Sequence, residues 1–255
     1  MEGACVGSAP AGPLAALAQR LGRVDAPRRE RDLGVALVEI GAQVTNVSVH
    51  AAGMLLGLKS IPIGSNDITD AIASSLGIRR SQAERLKCVS GSAIATPTDH
   101  REMIPVNGPG EEPGGPLARG ADEHNRIARA ELVAIVTDRL GIATAEIGKA
   151  LKSMGFTGAQ GGQVVLTGGG AELHGVAEFM QGALGRPVRI GKPPVLQGLP
   201  EAHATPGFAT LAGLCLYAAD DPVDIRSFGP RYQPTKRYRG MGLVNRVFQA
   251  VREYF

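Results

Sequence analysis

The densest cluster of backbone suited to chemistry in this sequence is Val164-Val-Leu-Thr-Gly-Gly-Gly-Ala-Glu-Leu-His-Gly175. An apolar strand running into Gly168, Gly169 and Gly170 and then into a helix lets backbone approach a planar or anionic ligand with no Cβ in the way, and helix N–H groups face the same space. The same residues also make a tight strand-to-helix turn that holds nothing. The run is neither a GK[ST] phosphate loop nor a GxGxxG fingerprint. A second candidate is Ser81-Gln-Ala-Glu-Arg-Leu-Lys87, where Glu84 and Lys87 lie three apart on one helix face. Such a pair serves the polar groups of a ribose or base, or is simply a solvated ion pair. Ser81 reads as the helix cap, with Glu84 at the third position of a capping box.

A third feature closes the chain. On a helical wheel Met241, Leu243, Val244, Val247, Phe248, Val251, Tyr254 and Phe255 share one side, and Asn245, Arg246, Gln249 and Arg252 take the other. An amphipathic stripe of this kind docks on a protein core or lies on a membrane surface. It follows a polar stretch, and between Arg231 and Phe255 six Lys or Arg residues face one acid, Glu253, which favours a surface of anionic headgroups. The net charge of +3 is modest, so the remainder is slightly acidic and gives no sign of nucleic-acid binding.

Other chemistry is sparse. The five histidines, His50, His100, His124, His174 and His203, fall in turns or polar contexts and lack metal-ligand spacing. Cys5, Cys88 and Cys215 form no CxxC pair, which suits a reduced compartment. No apolar run reaches the roughly 18 to 20 residues of a membrane-spanning helix, so membrane contact is expected to be peripheral.

The elements that must position these groups read as α/β. With 44% hydrophobic and 20% charged residues the chain buries a normal core, and 35 glycines and 17 prolines imply many tight connections. Residues 1–32 make a ragged start. Leu33 to Ile40 suits a buried strand, Val44 to His50 a second, and Met54 to Pro62 a third after a turn at Ala51–Gly53. Gly64 to Asp67 caps a helix over Ile68 to Leu76, and a second helix runs from Ser81 to about Lys87. Gly108 to Pro116 reads as a loop tip with short extended segments beside it. A helix is expected from Arg126 to Met154, broken near Gly141, then a strand from Gln163 to Leu166, a helix from Leu173 to Leu184, a strand from Pro187 to Ile190 and a helix from Pro206 to Ala219.

The order of Val-Glu-Ile-Gly (38–41), Ile-Pro-Ile-Gly (61–64) before an Asp-Ile helix, Gln-Ala-Glu-Arg-Leu-Lys (82–87) and Val-Val-Leu-Thr-Gly-Gly-Gly-Ala (164–171) resembles FtsA, the actin-like bacterial cell-division family, over roughly residues 33–255. The resemblance implies the second half of an actin-like, ribonuclease H-like fold, with the family's front half absent. It assigns 33–65 and 159–222 to a core subdomain, 66–158 to an inserted partner-docking subdomain, 223–240 to a linker and 241–255 to a membrane helix. It matches Gly168, Gly169 and Gly170 to an adenosine loop, Glu84 and Lys87 to the nucleoside helix, and Glu39 and Gly41 to a phosphate hairpin, implying ATP with Mg2+ left open. The family's Asp-Ile-Gly-Gly-Gly-Thr hairpin is here Glu39-Ile-Gly-Ala42-Gln43-Val44, which crowds the turn and argues against hydrolysis.

The implied function is that of a non-enzymatic adaptor holding the FtsZ ring at the cytoplasmic face of the inner membrane, at the septum. Arg129 and Arg139 would receive the FtsZ C-terminal peptide, later division proteins would be recruited, and self-association is implied as well. The alternatives are an ATPase or phosphotransferase of the same superfamily, and a pilus-assembly adaptor of the same fold.

Overall fold

A computed structural model describes residues 34–106, 126–157, 162–193 and 201–219. The chain divides into two compact units, Met1–Ala219 and Asp220–Phe255. The proposed membrane segment 241–255, the linker, the ragged start and the Gly108–Pro116 loop all lie outside the described residues.

Three strands open the fold: β1 (Val35–Ile40), β2 (Thr45–Ala51) and β3 (Met54–Ile61). They pair antiparallel, β1 with β2 and β2 with β3. The β2–β3 turn puts Ala52 (φ 49°) and Gly53 (φ 74°) in left-handed backbone, the combination that matches the twist of a two-residue hairpin. β6 (Gln163–Thr167) then lies parallel to β1 and β7 (Val188–Ile190) parallel to β6, giving the order β3-β2-β1-β6-β7. Central β1 is covered on both faces, which is why Val-Ala-Leu-Val reads as an unbroken apolar run.

Its alternation separates two surfaces. Ala36, Val38 and Ile40 face the larger core with Val47, Val164 and Leu166. Val35 and Leu37 face the other side with Val165 and Ala209, the first residue of the last described helix, α5 (Ala209–Ala219). Glu39 continues this second face to the end of β1.

Helices α1 (Ser65–Leu76) and α2 (Arg80–Ser90) follow β3. The Asp67 carboxylate accepts from the Gly64 N–H at 2.7 Å and caps α1, which begins at Ser65, three residues before the Ile68 expected from the sequence. The cap of α2 differs from expectation. Its N-cap is Arg79, whose N–H donates to Gln82 Oε1 at 3.1 Å, and Ser81 and Glu84 lie inside the helix. Gly77 closes α1 in left-handed backbone and Ile78 is anchored in the core, so the chain has already turned into α2 before Ser81.

Short strands β4 (Met103–Pro105) and β5 (Arg126–Ala128) pair antiparallel at either side of the loop, so the first three residues expected in the long helix are extended. That helix, α3 (Arg129–Ser153), is unbroken at Gly141. Leu132, Val136, Leu140, Ile147 and Leu151 keep one buried stripe on both sides of that glycine, and the packing outweighs its cost of about 1 kcal/mol. A 3-10 turn (Gly169–Glu172) separates β6 from α4 (Val176–Leu184), which starts later than Leu173, and a second 3-10 turn (Pro206–Phe208) leads into α5. Among the described residues no helix is long and apolar enough to cross a membrane.

Candidate functional site

Two turns meet where the parallel strands β1 and β6 end, with Glu39 in register with Thr167. Ligands of open α/β sheets bind beyond such carboxyl ends. The glycines of the second turn do unequal work. Gly168 has φ 84°, and a Cβ there would stand 2.5 Å from the Ile40 carbonyl oxygen. A Cβ on Gly170 would strike the Ile40 side chain, whereas one on Gly169 would meet nothing within 4 Å. Two of the three glycines therefore let the turn pack on β1, and Gly169 borders open space. The segment before α5 braces this turn: Gly168 N–H donates to the Pro206 carbonyl at 3.0 Å, and Gly207 N–H donates to Glu172 Oε1 at 3.1 Å.

The first turn closes with Gly41 N–H on the Val44 carbonyl at 3.0 Å. Its carbonyls at Gly41 and Ala42 accept the N–H groups of Ser65 (2.9 Å) and Asn66 (2.8 Å), so two of the orphan donors of α1 are satisfied by the turn itself. Ala42, Gln43 and Val44 are exposed, and their amides make no hydrogen bond among the described residues. Three such amides suit an anion although none of the three residues is glycine. Glu39 is occupied differently: Asn46 Nδ2 donates to Oε2 at 3.0 Å and Thr210 Oγ1 donates to Oε1. Both carboxylate oxygens thus bind neighbouring side chains, a poor starting point for holding a metal. Among the described residues no cluster of three acidic, His or Cys side chains forms a metal site.

Helix α2 brings Glu84 and Lys87 to the same end of the molecule. After it, Ala93 N–H donates to the His174 carbonyl at 2.8 Å and Ser92 Oγ meets His174 Nδ1 at 3.2 Å, strapping α2 to the glycine turn. Lys87 is only 7% exposed. Its Nζ reaches Thr69 Oγ1 (2.8 Å), Glu84 Oε2 (2.8 Å) and the Ser65 carbonyl (3.1 Å). The Glu84 side chain is 46% exposed. Burial pushes its carboxyl up, but hydrogen bonds from Lys87 and Thr69 together with the Lys87 charge outweigh that and hold it below the usual glutamate range. Neighbouring Cys88 is raised, first by burial and then by Glu84, which makes it a weak nucleophile.

The two arginines of α3 part company. Arg129 pairs with Glu102 at 2.9 Å and lies 3.8 Å from Asp99, tying the helix to the 96–102 turn. That turn is fastened by Asp99, which accepts from the Thr96 hydroxyl (2.6 Å) and the Thr96 N–H (2.7 Å). These bonds, with Arg129 adding to them, hold the Asp99 carboxyl below its ordinary range. Arg139 is exposed and makes no hydrogen bond or ion pair among the described residues. It edges a small cleft walled by Ile40, Ile68, Leu140 and Ala143. Sequence reasoning missed Thr69, Asn46 and Thr210, which orient the two acids. Single polar residues at element interiors carry no pattern that would reveal them. Of the histidines, His50 proved to be buried in β2, bonded to Ser48.

The chain matches the family described as "Cell division protein FtsA" over residues 36–213. It is 34% identical to the cell division protein FtsA of Agrobacterium fabrum over 89% of this chain and 49% of that protein. It is 30% identical to the Escherichia coli K12 protein of the same description over 76% of this chain and 46% of that one. The chain spans about half the length of the curated relatives it matches. Among solved structures it resembles MreB 5 of Spiroplasma citri bound to AMPPNP, with TM-score 0.57, 14% identity, and 80% of this chain and 58% of that chain covered. It also resembles the PilM-PilN type IV pilus biogenesis complex, with TM-score 0.54, 20% identity, and 80% and 50% covered. The fold is therefore actin-like, and the chain belongs to the FtsA cell-division family.

Proposed function

We propose that this chain serves as a division adaptor that binds the C-terminal peptide of FtsZ and brings it to the membrane. The observation that carries the reading is Arg139: an exposed cation with no ion pair among the described residues, at a cleft that Asp67, Ile68, Leu140 and Ala143 also line. An acidic residue of a docking peptide suits such a cation. Arg129 supports the neighbouring turn and contributes less. Residues 66–158 form the docking subdomain in this reading. The tail places Met241, Leu243, Val244, Val247, Phe248, Val251 and Phe255 among lipid tails, with Arg246 and Arg252 at anionic headgroups. The site of action is the cytoplasmic face of the inner membrane at the septum, where later division proteins and further copies of the chain assemble.

An adenine nucleotide fits the same reading as a ligand, its phosphates at the amides of residues 42–44 and its nucleoside between Gly169 and Glu84. MreB 5, similar in fold, is described as bound to AMPPNP. With Glu39 held by Asn46 and Thr210, the role assigned to the nucleotide is binding without turnover.

Co-sedimentation with anionic vesicles tests the adaptor. The full chain is expected to pellet and to carry a labelled FtsZ C-terminal peptide with it, a chain ending at Gly240 to stay in solution, and R139E to pellet without the peptide. Equal pelleting of the full and shortened chains, or peptide capture by R139E equal to that by the parent, overturns the corresponding part.

A further inference from the structure

The hydrogen bonds of Lys87 leave no proton to offer a ligand. An ammonium has three protons. Three acceptors surround this one at 2.8 to 3.1 Å: Thr69 Oγ1, Glu84 Oε2 and the Ser65 carbonyl. Every proton of the buried ammonium is thus matched by an acceptor, and one of the three is a carboxylate.

Thr69 completes the arrangement. It is fully buried, accepts from Lys87, and directs its own hydroxyl proton to Glu84 Oε2. Glu84 Oε2 is thereby fixed from two sides. Among the described residues Oε1 meets only the weak Cys88 thiol, at 3.6 Å, on a side chain that is half exposed. Ser65 extends the linkage. Its carbonyl accepts from Lys87 while its N–H donates to the Gly41 carbonyl at 2.9 Å, so a single residue joins the buried ammonium to the β1–β2 turn.

We infer that Lys87 and Thr69 are positioning residues: they hold Glu84 with Oε1 outward, in fixed relation to the turn at residues 41–44, so that this one oxygen accepts the hydroxyls of a ribose. The inference rests on the nucleotide reading above and assigns Thr69 a role that its position in the interior of α1 does not advertise. A ribose diol donates to a carboxylate oxygen, and hydrogen bonds to charged groups are strong enough to change affinity by about tenfold. Glu84 therefore separates ribonucleotides from their dideoxy analogues only while its orientation is held.

The full-length chain is titrated with ATP and with 2′,3′-dideoxy-ATP, in parallel with T69V, T69S, E84Q and K87M. The parent is expected to bind ATP about tenfold tighter than the dideoxy analogue. T69V should bind ATP and the dideoxy analogue about equally, T69S should keep the preference, and E84Q should match T69V. K87M follows T69V if it folds, and T69V carries the test if it does not. A purely structural role lowers both affinities together and leaves their ratio intact, which would overturn the inference. Carbon-13 titration of the Glu84 carboxyl needs no nucleotide: T69V should raise it toward the ordinary glutamate range, and T69S should not. If the parent binds neither nucleotide, the nucleotide reading fails. The positioning of Glu84 by Thr69 then stands on that titration, and an unmoved carboxyl in T69V removes it.

Discussion

The two turns at the carboxyl ends of β1 and β6 invert the roles their sequences suggest. The turn at 168–170 has three glycines, yet Gly168 and Gly170 are required by the approach of Ile40, and only Gly169 borders free space. The turn at 41–44 has the single glycine Gly41, yet its amides at Ala42, Gln43 and Val44 are without partners among the described residues, and the three residues are exposed. Glycine is therefore a sign of close backbone approach, and whether the approaching atom belongs to a ligand or to the protein itself depends on the neighbouring strand. The same division separates the two arginines of α3, one joined to Glu102 and one facing solvent.

The sharpest way to break this comparison is G170V. Its side chain must displace Ile40, and a loss of about 3 kcal/mol is expected in urea unfolding. A loss below about 0.5 kcal/mol, the range of ordinary surface changes, would show that the turn does not pack on β1 as described. Next in size is R129M, which deletes the pair with Glu102 and leaves buried Asp99 without its cation. With the arginine partly exposed, about 1–2 kcal/mol is expected, against less than about 0.5 kcal/mol for R139Q. Equal costs for the two arginines would erase the distinction between them.

A pH measurement sharpens it further. Asp99 is held below its ordinary range by the Thr96 hydroxyl, by the Thr96 N–H and by Arg129. Because its folded value is depressed, its contribution is fully present above the ordinary aspartate range and is lost as pH falls through the depressed value. T96A should move the Asp99 carboxyl up toward the ordinary range in a carbon-13 titration and flatten the acid limb of the stability curve. An unchanged titration would place the Thr96 bonds outside the cause. The smallest effect belongs to G169A, which should leave stability within about 0.5 kcal/mol because its Cβ meets nothing. If G169A instead unfolds the chain as readily as G170V, the open space beside Gly169 is not there.

Much of the fold was legible in the residues. The apolar run of β1, the alternation of β2, the turn at Ala51–Gly53 and the strand-turn-helix at 163–184 follow from local geometry that a few neighbouring residues impose. Local rules failed where a distant contact outweighed them. Ser81 looked like a cap, but burial of Ile78 had already begun the helix. Gly141 looked like a break, but the stripe from Leu132 to Leu151 crosses it.

For the site, the sequence by itself determined which residue types stand near the ends of β1 and β6, and that Glu84 and Lys87 share a face, because both follow from strand order and helical periodicity. The tertiary structure alone decided what those residues do. Whether Lys87 is a solvated charge or a buried one depends on α1 bringing Thr69 and the Ser65 carbonyl to it, from 18 and 22 residues away. Glu39 likewise depends on Thr210, 171 residues further on. Charge and hydrogen-bonding capacity are written in the side chain, but its partners are set by packing between elements, which no local pattern records.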